Sequence, residues 1–282
     1  MPLINRQFVA NQRRTASNAL EKLNAYVTLL EESNVAGPKA EGPLAGWRLA
    51  VKDCFSTKGL RTTCGSAMLA NYVPPYTATV VQRLLDAGCV VTGKTNMDEF
   101  SMGSSSSSGL VGPVRNPWAL LEEQEEDPIV PGGSSGGSAV AVAIGHARIG
   151  LGSDTGGSVR NPAAWTGLLG LKPTYGALSR HGLIPLVNSL DAPGLFARTA
   201  EDLAAAFDAA SGEDEKDATS RSPPYASCCP LQKLCPGQLR IGIPVESRRE
   251  ELSGDILDAW EHIASVFAQN GSQESPVDRK AK

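Results

Sequence analysis

Three segments of this chain are built from glycine and serine, and each is joined without a spacer to an apolar element. Residues 132–138 read Gly-Gly-Ser-Ser-Gly-Gly-Ser and run straight into the apolar 139–144; residues 153–158 follow the strand-like 149–152; a five-serine run sits within 101–109. By composition alone these would be linkers. A linker needs no hydrophobic neighbour, however, and 139–147 is small and apolar all round, like a helix packed on every side. Strand, glycine turn and helix recur, which predicts α/β layers with the loops gathered at one edge of a sheet.

The remaining elements fit that rhythm. Residues 16–31 place Ala19, Leu20, Leu23, Ala25, Val27 and Leu30 at mostly helical spacing and predict an amphipathic helix. Residues 47–51 read as a strand ending at Lys52-Asp53, 77–87 as a helix stopped by Gly88, and 89–92 as a second strand. The segment 159–168 reads as a helix with Pro162 in its first turn, and 199–211 as a helix capped by Thr199. A polar, Pro-rich surface loop is expected over 213–237, then a strand over 239–243, a helix over 255–268, and a charged tail without structure over 272–282.

Charge and residue usage exclude several function classes. Lys and Arg number 26 against 30 Asp and Glu, a net charge of −4, so no basic excess exists to grip a nucleic acid. No apolar run approaches the roughly 20 residues of a membrane helix, and no membrane partner is expected. The six cysteines lack Cys-x-x-Cys spacing and read as reduced thiols; with three histidines and no HExxH, no metal site is expected. Arg6, Arg13 and Arg14, with no acid before Glu21, fit a short transit peptide and an exposed helix start equally well.

Two motifs match by letter and fail by context. Gly88–Thr95 fits the phosphate-loop pattern GxxxxGK[ST], but such a loop follows a strand and opens a helix, whereas here a helix precedes Gly88 and Val90-Val91 lie in a strand. Gly132–Gly136 fits GxSxG with Ser134 as nucleophile, but that mechanism needs a later histidine, and only His181 and His262 follow. A lysine-based site suits the chain better. Lys52 ends a strand expected to be buried, Ser134 lies in the first glycine loop, and Ser158 lies 24 residues later in the second. A lysine acts as a base only when burial lowers its pKa; a serine between it and the nucleophile would relay the proton, and flanking glycines let amides approach an oxyanion.

These residues are where the chain resembles the amidase signature enzymes: the loop 132–138, the stretch Gly152–Ala163 and the stretch Gly170–Gly176 occur together and in order. The resemblance is nearest to the A subunits of glutamyl-tRNA(Gln) amidotransferases, mitochondrial type, through Lys94–Gly103, Gly112–Trp118 and Ser179–Asp191. It implies an α/β fold with α/β/α layers around a mixed β-sheet, 1–282 forming the amino-terminal portion of a single amidase domain whose signature core spans about 45–212. It makes Lys52 the base, Ser134 the relay and Ser158 the acyl-forming nucleophile. The backbone of Thr155, Gly156 and Gly157, with Ser158 itself, would form the oxyanion hole, and Met102, Gly103 and Ser104 would line the site. Asp154 and Arg160 are expected to hold the loop rather than touch substrate.

The activity implied is that of a glutamine-hydrolysing subunit that releases ammonia for conversion of misacylated Glu-tRNA(Gln) to Gln-tRNA(Gln). It would work beside a B subunit, which would bind ATP and Mg and most of the tRNA, and a small third subunit, in the mitochondrial matrix, with the cytoplasm as the alternative. Two other readings are a stand-alone hydrolase of another small amide and a truncated, non-catalytic chain. They arise because the family's sequence continues well past residue 282 and the acidic 120–127 departs from its pattern as a surface insertion.

Overall fold

The computed structural model describes residues 20, 22–30, 41–118, 129–221, 227–231, 240–244, 251–270 and 273–277. The chain, read above as one domain, separates into two compact units, Met1–Pro230 and Leu231–Lys282. The first contains a six-stranded sheet made of β1 (Tyr26–Leu29), β2 (Arg48–Lys52), β3 (Val90–Thr95), β4 (Ile149–Asp154), β5 (Leu169–Leu171) and β6 (Ala192–Ala197). Their spatial order is β1-β3-β2-β4-β6-β5. β2 runs parallel to both β3 and β4, while β1, β6 and β5 join antiparallel, so the sheet is mixed.

Four helices cover this sheet: α1 (Thr79–Asp86), α2 (Gly136–Ala143), α3 (Arg160–Thr166) and α4 (Ala200–Ala210). Side chains alternate across a strand, and the core divides accordingly. Leu49, Val51, Ile149, Leu151, Leu195 and Ala197 pack with Val80, Val81 and Leu84 of α1 and Phe207 of α4. Ala50 and Phe196 pack with Ala139, Ala141 and Val142 of α2 and Ala163 of α3. On the second face β4 presents glycine. A Cβ at Gly150 would lie 3.0 Å from the Ser138 carbonyl oxygen, and one at Gly152 would lie 2.8 Å from the Phe196 ring. Helix α2 therefore rests almost on the strand backbone, which brings the loop before it to the carboxyl ends of β2 and β4.

Caps agree with the sequence. Thr199 accepts the Asp202 amide at 3.1 Å at the start of α4. Arg83 of α1 donates to the carbonyls of Ala210, Gly212 and Glu213 at its other end, tying the two helices together. Gly88 follows α1 at φ +101°, its amide bonded to the Leu85 carbonyl, and Gly93 and Lys94 lie inside β3. The phosphate-loop match therefore has no phosphate-loop geometry.

Two expectations are corrected. The predicted helix over 16–31 is helical at Leu20, Lys22 and Leu23 but gives way to β1, which pairs with β3 from Tyr26 opposite Thr95. Asn24 turns the chain at φ 52°, its side-chain amide held by the carbonyls of Val111, Gly112 and Pro113, and the β-favouring Tyr-Val-Thr-Leu then extends. The predicted unstructured tail over 272–282 contains a strand. Within the second unit β7 (Arg240–Pro244), α5 (Gly254–Gln269) and β8 (Gln273–Val277) form a parallel βαβ crossover, Arg240 opposite Gln273. The polar Gln-Glu-Ser-Pro-Val carries no apolar alternation, so its strand character comes from pairing alone. The acidic 120–127, the three N-terminal arginines and Cys235 lie outside the described residues, and Cys54, Cys64, Cys89, Cys228 and Cys229 are unpaired thiols.

Candidate active site

Lys52 is the last residue of β2 and is fully buried. Its Nζ is hydrogen-bonded to Ser134 Oγ at 2.7 Å and to Ser153 Oγ at 2.9 Å. Burial pushes the Lys52 pKa down from the ordinary lysine value, opposed by the thiols Cys54 and Cys64 and the carboxylates Asp98 and Asp154. Ser134 precedes α2 and is also sealed; the Gly133–Ser134 peptide is cis. The neighbouring Ser135 amide donates to the Ser158 carbonyl at 3.2 Å, and the Ser135 hydroxyl to the Ser153 carbonyl at 3.2 Å, so the two glycine loops are stitched together. Ser158, 8% exposed against 0% for Lys52 and Ser134, is the member of the three that reaches the surface. Its Oγ has no hydrogen-bond partner among the described residues, which leaves it open to an incoming group.

The loop from Thr155 to Ser158 is set by two carboxylates. Asp154 accepts the amides of Gly157 (3.0 Å), Val159 and Arg160 and pairs with the Arg160 guanidinium at 3.0 Å. Burial would raise its pKa, but these donors hold it below the usual carboxylate value. Thr155 Oγ1 donates to Asp191 Oδ1 at 2.5 Å, and Asp191 also accepts the amides of Leu186 and Val187. Of the four expected oxyanion donors, Gly157 N–H is thus committed to Asp154, while the amides of Thr155, Gly156 and Ser158 have no acceptor among the described residues. A Cβ at Gly156 or Gly157 would meet nothing within 4 Å, so this edge of the loop faces open space. Met102, Gly103 and Ser104 are exposed, on a loop pinned beside Ser134 by Asp98.

A second buried lysine lies on the neighbouring strand. Lys94 of β3 pairs with Asp53 Oδ1 at 3.1 Å and donates to the Phe55 carbonyl and to Thr62 Oγ1. Sequence reasoning missed Ser153, the second partner of Lys52, and Asp191. The signal for Ser153 was the parallel register: Val51 lies opposite Leu151, so a residue two beyond Leu151 falls beside Lys52. Among the described residues no group of three His, Cys, Asp or Glu side chains is placed to hold a metal.

The family model for amidases matches residues 9–281. The chain belongs to the Amidase family. Amidase relatives named as the mitochondrial A subunit of glutamyl-tRNA(Gln) amidotransferase include those of Bos taurus, 46% identical over 285 residues, and Ixodes scapularis, 49% identical over 268. In each case the alignment covers 90% of this chain and 53% of the relative. The chain therefore spans about half the length of the curated relatives it matches. The crystal structure of the A subunit of glutamyl-tRNA(Gln) amidotransferase from Thermotoga maritima superposes with a TM-score of 0.84 at 35% identity, covering 96% of this chain and 58% of that one. The S177A allophanate hydrolase of Kluyveromyces lactis gives 0.77 at 32% identity, with 96% and 44% covered. The amidase fold thus carries different named activities, and what this member does is argued from its site.

Proposed function

We propose that this chain is the glutamine-hydrolysing A subunit of a mitochondrial glutamyl-tRNA(Gln) amidotransferase. The observation that carries the reading is the sealed Lys52–Ser134 hydrogen bond of 2.7 Å behind a surface-reaching Ser158. Ser158 Oγ attacks the side-chain amide carbon of glutamine, its proton passes to Ser134 Oγ, and the Ser134 proton passes to Lys52 Nζ. The amides of Thr155, Gly156 and Ser158 receive the developing oxyanion. The proton returns to the leaving nitrogen, ammonia departs, and water frees glutamate from the ester on Ser158. Because the family model runs across both compact units, 1–282 falls within one amidase domain.

The names of the relatives support the rest. Ammonia passes to a partner, the B subunit, where ATP and Mg activate the glutamate of Glu-tRNA(Gln), and a small third subunit braces the pair. The partner holds the tRNA, in keeping with the net charge of −4 and the failed phosphate loop here. The compartment is the mitochondrial matrix, and no described helix is long and apolar enough to cross a membrane. The test is incubation with glutamine and hydroxylamine. Formation of the glutamyl hydroxamate by this chain and its loss in Ser158→Ala support the reading, and equal yields from both sink it. A hydroxamate from simple amides but not from glutamine would instead mark a stand-alone amidase.

A further inference from the structure

The loop that carries Ser134 is built around a carboxylate for which the reaction above has no use. Asp98 is 1% exposed and has no cationic partner among the described residues. Its Oδ2 accepts the Ser106 amide at 2.8 Å; its Oδ1 accepts the Ser107 amide at 3.0 Å, the Ser108 amide at 3.3 Å and the Ser108 hydroxyl at 3.0 Å. The five-serine run is therefore a nest wrapped around one carboxylate. Phe100, Ser101 and Ser106 are held at φ 49°, 62° and 58°, a left-handed region that non-glycine residues rarely adopt. Ser106, fixed in this way, clamps the catalytic loop from both sides: its hydroxyl donates to the Gly132 carbonyl at 2.9 Å and accepts the Gly136 amide at 2.9 Å. The Asp98 amide itself donates to the Ser134 carbonyl at 3.4 Å, and a Cβ on Gly133 would fall 2.3 Å from Asp98 Oδ2. The carboxylate thus packs directly on the peptide that carries Ser134, across that serine from Lys52.

We propose that Asp98 is a positioning residue of this site: through Ser106 it fixes the loop that presents Ser134, and its unpaired charge is the counter-charge for the ammonium formed when Lys52 takes the proton. The inference rests on the Lys52–Ser134–Ser158 reading. Lys52 is faced by the thiols of Cys54 and Cys64, by Asp98 and by Asp154, with the Lys94–Asp53 pair beyond. Cys54 and Cys64 are neutral, their pKa values pushed up by burial. Asp154 is neutralised by Arg160 and Asp53 by Lys94, which leaves Asp98 as the uncompensated negative charge in that shell. A fixed charge aimed at a developing opposite charge in a dry site acts without reorganisation.

The test is labelling of the 282-residue chain with a fluorophosphonate across pH. The Ser158 oxygen bonds to phosphorus, fluoride leaves, and the proton passes through Ser134 to Lys52. Wild type is expected to label at Ser158 with a rate that rises with pH as Lys52 becomes neutral. Asp98→Asn removes the negative charge, so the ammonium is less favoured and the rising limb moves to lower pH; the maximal rate also falls, by about tenfold or more, as the loop loosens. Ser106→Ala keeps the charge and removes the clamp, so its maximal rate falls while the limb stays. Wild-type rate and limb in Asp98→Asn overturn the proposal while leaving the triad reading intact; a slower rate on an unmoved limb overturns the counter-charge. If circular dichroism finds Asp98→Asn unfolded, Ser106→Ala decides, and wild-type labelling there overturns the clamp. No labelling of wild type at Ser158 removes the triad reading and this proposal with it.

Discussion

Two lysines, Lys52 and Lys94, are both fully buried at the carboxyl ends of adjacent parallel strands, and their surroundings give them opposite chemistry. Lys94 has a carboxylate at 3.1 Å and two oxygen acceptors, whereas Lys52 has only hydroxyls. Burial lowers both pKa values, but for Lys94 the Asp53 charge opposes that pull at contact distance. Removing each therefore has a different consequence. Lys94→Met strands a buried carboxylate and is expected to cost about 3–5 kcal/mol, read as a lower urea midpoint. Lys52→Met removes a group that the unfolded chain protonates more readily than the folded one, so the variant should label no probe yet melt higher than wild type. The sign fixes the pH dependence of that gain. Between the depressed folded value and the ordinary 10.5 the unfolded chain binds more protons, so wild-type stability rises with pH across that window. The melting advantage of Lys52→Met should be largest on the acid side and shrink as pH approaches 10.5; an advantage that grows with pH would mean Lys52 is charged in the fold.

At the scale of elements, the glycine pattern proved to be a packing code as much as a loop code. Gly137 in α2 would put a Cβ 2.4 Å from the carbonyl oxygens of Ala25 and Asn96, both backbone atoms that cannot swing aside, whereas one at Gly156 would meet open space. Gly137→Ala should cost about 3 kcal/mol, the upper end of overpacking, while Gly156→Ala should stay within about 0.5 kcal/mol of wild type by chemical denaturation. Equal losses at the two sites would mean α2 does not rest on the sheet as closely as described. The same comparison explains what was legible. The all-round apolar 139–147 announced a buried helix, and the Thr199 cap announced α4. β6 was not read because Ala-Pro-Gly-Leu-Phe-Ala is buried on both faces and so shows no alternation, and β5 because three residues carry no period. Lys52, Ser134 and Ser158 were legible because each ends or follows an apolar element. Ser153 and Asp98 were not, since their roles come from partners about 100 residues away in one case and from a folded loop in the other.

For the molecule as a whole, the sheet order places β2 and β4 side by side in parallel, so their carboxyl ends deliver Lys52 and the loop from Ser153 to Ser158 to one place, and α2 adds Ser134 from above. That is the edge at which open α/β sheets present their sites. Everything needed to attack an amide is thereby gathered within the first compact unit, but nothing in that gathering serves to hold a long polyanion. With a net charge of −4, the chain has no basic excess to displace the counterions of a nucleic acid, and affinity of that kind weakens steeply with salt. The division of labour proposed above therefore makes a measurable claim. Fluorescence anisotropy of labelled tRNA at about 150 mM salt should register no binding by this chain alone at micromolar concentration, while the same preparation still labels at Ser158. Tight, steeply salt-dependent binding by the chain alone would place the tRNA contact here and require the assignment of that role to the partner to be withdrawn.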